Sequence, residues 1–93
     1  MESIDFRIVS RIYGLGRGAV FIPINFLDIG SRAAVDLALH RLVKKGTIRR
    51  LARGLYDYPK THPEIGILSP DPDAIAKALA GKNDFIRLQP SGA

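Results

Sequence analysis

Arg49, Arg50 and Arg53 crowd one short stretch that ends in Gly54. A guanidinium is a permanent planar cation whose fork of donors fits phosphate oxygens, or the O6 and N7 of guanine, two bonds at a time. A second set precedes it: Ser31, Arg32, Ala33, Asp36, Leu37, His40, Arg41 and Lys44. Between Ser31 and Lys60 eight lysines and arginines face only Asp36 and Asp57, a net of six positive charges in a chain whose total is +5. One segment therefore carries all of the excess, the footprint of a polyanion binder.

Other chemistries find no support in the residue types. There is no cysteine, which excludes disulfides and thiolate metal sites. His40 and His62 lack any paired ligand spacing, so no metal is expected. Asp71, Asp73 and Asp84 suit caps and turns, and Ser31 and Ser91 have no evident base partner. The run Gly14-Leu15-Gly16-Arg17-Gly18 looks like a phosphate loop in the wrong order, following a helix and preceding a strand. We expect no catalytic residues, no metal, no cofactor and no enzymatic activity.

The elements that must position the basic residues follow from spacing. Ser3 caps a helix over Ile4 to Tyr13, with Ile4, Ile8 and Ile12 at four-residue intervals. Ala19 to Ile22 reads as a strand. Pro23 to Ile29 reads as a short second helix with Phe26 and Leu27 inward, closed by Gly30. Ser31 opens a third helix to about Lys45, with Ala34, Val35, Ala38, Leu39, Leu42 and Val43 as one apolar stripe and Gly46 as its end. Thr47 to Leu51 and Leu55 to Tyr58 read as a hairpin about Ala52-Arg53-Gly54. One of Tyr56 and Tyr58 is expected to pack on the third helix. Lys60 to Asp71, with Pro63 and Pro70, reads as an extended connector. Asp71 and Pro72 start a helix that ends at Gly81, and Phe85 to Gln89 reads as a last strand.

This order predicts an α+β fold, a winged helix-turn-helix of three helices plus a β-hairpin wing with a C-terminal helix–strand extension. The expected division is a winged-helix domain over 1–60, a Pro-rich linker over 61–71, and the truncated start of a C-terminal region over 72–93. In the third helix Ala33, Leu37, His40, Arg41 and Lys44 point away from the apolar stripe, with Arg32 and Asp36 on its flank. Such a helix enters the DNA major groove by its N-terminal and outward residues, while wing arginines lie on phosphates or in a minor groove. The site residues expected to contact DNA are thus Ser31, Arg32, Ala33, Asp36, Leu37, His40, Arg41, Lys44, Arg49, Arg50 and Arg53. No run of 18 apolar residues and no signal peptide is visible, so a cytoplasmic protein without membrane contact is expected.

Specific blocks carry a family resemblance. Val20-Phe21-Ile22-Pro23, the stretch Phe26 to Asp36, Ala38-Leu39, Arg41 to Gly46, Ile48 to Pro63, Leu68 to Asp73 and Ile86 to Ala93 resemble the AbiEi-like antitoxins of type IV toxin–antitoxin systems, over about three quarters of the chain. The resemblance implies a bacterial winged-helix protein that represses its own operon at inverted repeats. It also implies a C-terminal region that antagonises a nucleotidyltransferase-type toxin. Family members continue past Ala93. They tend to place Thr or Ser where this chain has Ile22, and a polar residue where it has Leu37.

The function expected is a DNA-binding transcriptional regulator of the antitoxin type. Its partners would be duplex operator DNA and a second copy of the chain, held partly by residues 72–89, since a nine-residue helix and a lone edge strand are marginal alone. The alternative is a winged helix serving only protein interaction, which has no need of the concentrated positive charge.

Overall fold

Ser3 fixes the first turn of the chain: its Oγ accepts the Phe6 N–H at 3.1 Å and starts α1 (Ile4–Leu15). The computed structural model describes residues 3–87. Ile8 and Ile12, one turn apart on α1, are fully buried. Gly16, at φ +89°, stops the helix by donating its N–H to the Ile12 and Tyr13 carbonyls.

After β1 (Val20–Phe21) the expected second helix shrinks to a four-residue 3₁₀ turn, Pro23–Phe26. No side chain caps it, since Ile22 has no acceptor to offer; Asn25 Oδ1 instead accepts the Ile22 N–H at 2.9 Å. The tighter winding buries Pro23 and Phe26, the latter edge-to-face against Phe21 with ring centroids 5.5 Å apart. Leu27, expected inward, is 40% exposed.

Ser31 caps α2 (Arg32–Lys44) by accepting the Ala34 N–H at 3.2 Å. Val35, Ala38, Leu39 and Leu42 form its buried stripe and pack across α1. Ile48, Phe21, Phe26 and Tyr56 complete this core, so Tyr56 is the tyrosine that packs beside α2. Each such side chain contributes about 1.5–3 kcal/mol of burial. That suffices to hold α1, the 3₁₀ turn and α2 in one fixed arrangement.

The antiparallel pair β2 (Arg49–Ala52) and β3 (Leu55–Asp57) turns at Arg53-Gly54, where Gly54 adopts φ +73°. β1 adds to the other side of β3, giving the order β1-β3-β2.

Two stretches differ from expectation. The connector holds a small hairpin, β4 (Thr61–His62) against β5 (Gly66–Ile67), prolonged by the Leu68 N–H on the Lys60 carbonyl at 2.9 Å. Neither a break at Gly81 nor a strand at Phe85 occurs. α3 (Pro72–Arg87) runs through both, while Leu88 and Gln89 of the expected strand lie outside the described residues. α3 lies against β1 of its own chain, with Ala74, Ile75 and Ala78 half-buried. It is therefore neither too short nor without a surface to pack on, as the dimer argument from sequence assumed.

The result is an α+β arrangement of three α-helices and two small antiparallel sheets among the described residues. Its order is compatible with a winged-helix-like fold. No helix among those residues is long and apolar enough to cross a membrane.

Candidate nucleic-acid interface

The 3.6-residue period splits the exposed residues of α2 into two adjacent stripes. Arg32, Asp36, His40 and Val43 form one wall of an open groove of about 570 Å³. The β2–β3 hairpin forms the other wall with Arg50, Arg53, Gly54 and Tyr56. The outer stripe is Ala33, Leu37, Arg41 and Lys44, all exposed, with Leu37 at 54%. Ser31 stands at the N-terminal end of both, its hydroxyl engaged in the cap. Residues far apart in sequence thus meet at one surface that combines cations, an exposed leucine and a helix start.

Bound partners decide which cations can act. Arg32 donates its Nε to Asp36 at 3.1 and 3.2 Å, an ion pair one turn long. Arg41 lies 3.4 Å from Asp5, which ties α2 to α1. Lys44, Lys45, Arg50 and Arg53 make no ion pair among the described residues.

Arg49 differs from these cations in its partners. Its guanidinium turns away from the groove, donating Nε to Asp57 at 3.0 Å and Nη2 at 2.7 Å, with a third bond from Nη2 to the Leu68 carbonyl at 3.2 Å. These bonds to Asp57 hold the guanidinium above its ordinary arginine value. The cause is a register shift. A regular two-residue hairpin about Arg53-Gly54 would set Arg50 opposite Asp57. An irregularity between Arg50 and Ala52 instead pairs Arg49 with Asp57 and Arg50 with Tyr56. Arg50 is thereby placed on the groove face, and Arg49 becomes the bolt of the hairpin base.

A second fastening escaped the sequence reading. Arg11 of α1 grips Asp28, just after the 3₁₀ turn, through two bonds of 2.7 Å, and also donates to the Asn25 carbonyl at 3.0 Å. The hydrogen bonds from Arg11 hold the Asp28 carboxyl below the usual carboxylate range, and those to Asp28 raise Arg11. The clamp fixes the turn that leads into α2. Its only sequence signal is the opposite charge of two residues 17 positions apart. On the far side Tyr58 packs on Tyr13 at 5.4 Å, with the Arg17 guanidinium 4.7 Å from the Tyr58 ring centre.

Among the described residues no group of three histidines, cysteines or carboxylates could hold a metal ion. His40 lies in the groove wall, whereas His62 lies in β4 and accepts the Glu64 N–H on Nδ1. Residues 7–93 match DUF6088, a family of unknown function. No curated protein and no solved structure matches the chain.

Proposed function

We propose that this chain, which belongs to the DUF6088 family, is a winged helix-turn-helix protein that binds duplex DNA and regulates transcription. The observation that carries the reading is the groove itself: α2 and the β2–β3 hairpin present Arg32, His40, Arg50 and Arg53 around one open surface, beside the exposed Leu37.

In this reading α2 enters the major groove with Ser31, Arg32, Ala33, Asp36, Leu37 and His40, and Leu37 meets a thymine methyl. Lys44 continues along the phosphates, while Arg41 stays with Asp5. The hairpin is the wing, and Arg50 and Arg53 at its tip grip the backbone. Arg49 leaves the phosphate-binding set and serves the wing through Asp57.

The resemblance to AbiEi-like antitoxins extends the proposal. The protein represses its own operon, two copies occupying the halves of an inverted repeat, one each. The region from residue 72 onward then belongs with antagonism of a nucleotidyltransferase-type toxin. It would act in the bacterial cytoplasm, without cofactor and not as an enzyme.

A gel shift with the DNA upstream of its own gene tests the proposal. A retarded complex that survives scrambled competitor is expected. Equal loss to both competitors removes the operator, and no complex at low salt removes DNA binding altogether.

A further inference from the structure

We infer that Asp36 is a positioning residue that sets base preference, by holding Arg32 ready for a single guanine; this rests on the duplex-binding reading above. Arg32 lies in the first turn of α2 and Asp36 four residues on, so their side chains meet on one wall. Arg32 Nε is shared between the two carboxylate oxygens of Asp36, at 3.1 and 3.2 Å. Among the described residues the two terminal amines of Arg32 make no hydrogen bond, and both side chains line the groove that faces Arg50 and Arg53.

The guanidinium is flat and its donors lie in one plane. Fixing the Nε edge leaves the terminal fork directed outward, the geometry that spans guanine O6 and N7. An untethered arginine samples many rotamers and finds phosphates as readily as bases. The tether removes part of that freedom before binding.

Charge supports the same assignment. Asp36 cancels Arg32, so the pair adds little attraction for phosphate. A carboxylate on a surface that meets a polyanion lowers affinity for every duplex alike. What it supplies in return is orientation. It also repels the O6 and N7 acceptors of a wrongly placed guanine. Arg32 with Asp36 therefore discriminates, whereas Arg50 and Arg53 attract.

The test is selection of binding sites from a randomised duplex library with the wild-type chain, Asp36→Ala, Asp36→Glu and Arg32→Ala, followed by affinities for the selected site and for unrelated duplex. The wild type should select a guanine whose replacement by adenine weakens binding roughly 5- to 100-fold. Arg32→Ala and Asp36→Ala should lose most of that preference, while Asp36→Ala binds unrelated duplex as well as the wild type or better. Asp36→Glu reaches Arg32 from the same helix face and should restore preference. Asp36 is half exposed, so loss of fold is not the expected route, and thermal melts of each variant check it. Wild-type preference in Asp36→Ala, or an Asp36→Glu no better than Asp36→Ala, overturns the inference and leaves duplex binding standing. A wild type that binds no duplex overturns both.

Discussion

Arg49 and Asp57 face each other across the β2–β3 ladder, joined by bonds of 3.0 and 2.7 Å, and the Asp57 side chain is only 1% exposed. Arg49 also holds the Leu68 carbonyl, so one side chain joins the hairpin base to the segment after β5.

Removing the cation strands a buried carboxylate. Arg49→Ala should therefore cost about 3–5 kcal/mol in urea unfolding. Asp57→Ala should cost less, because Arg49 keeps a route to water. Below its melting point Arg49→Ala should retain the wild-type salt dependence of DNA binding. A slope smaller by about one unit would mean that Arg49 touches a phosphate after all.

Arg50 and Arg53 carry the opposite expectation. Neither has an ion-pair partner among the described residues, and both line the groove. Alanine at either should leave stability within about 0.5 kcal/mol. It should also weaken binding to all sequences together and lower the salt slope by about one unit. A change confined to one sequence would assign these residues to base reading.

The Arg11–Asp28 clamp predicts acid sensitivity. Because the Arg11 hydrogen bonds hold the folded Asp28 below the usual carboxylate range, its contribution is fully present above the unfolded value of about 4. It is lost as pH falls through the lower folded value. Thermal melts should thus show Asp28→Ala below the wild type near neutral pH, with the gap closing below about pH 4. A gap that stays constant into acid would mean that the carboxylate charge is not what matters.

Gly81 lies inside α3, and a Cβ there would meet nothing within 4 Å among the described residues. Gly81→Ala should raise stability or helix content, by up to about 1 kcal/mol. Destabilisation would restore Gly81 as a helix end.

How much of this was legible can be argued residue by residue. α2 could be read because Ser31, the apolar stripe and Gly46 agree about its bounds. The hairpin followed from Gly54. The β4–β5 pair left no pattern, since both its strands are exposed and only two residues long. A glycine inside a helix costs only about 1 kcal/mol, so Gly81 was a weak stop sign. Phe85 and Ile86 suit a strand as well as a helix when the window is five residues. Within the site, spacing identified the basic surface but not the direction of Arg49. That depends on the shift between Arg50 and Ala52, which moves each of two adjacent arginines one partner along the facing strand.

The central claim is that the α2–hairpin surface binds duplex by its unpaired cations. Arg49 is occupied by Asp57, Arg41 by Asp5 and Arg32 by Asp36, which leaves Lys44, Lys45, Arg50 and Arg53 without an ion pair among the described residues. The most direct measurement is duplex affinity by fluorescence anisotropy across a salt series, for the wild type and for Arg50→Ala/Arg53→Ala. The wild type should give a slope of log affinity against log salt of about −3 to −4 per chain, and the double variant a slope smaller by about two units. Affinity that is flat in salt, or a double variant with the wild-type slope, would contradict it.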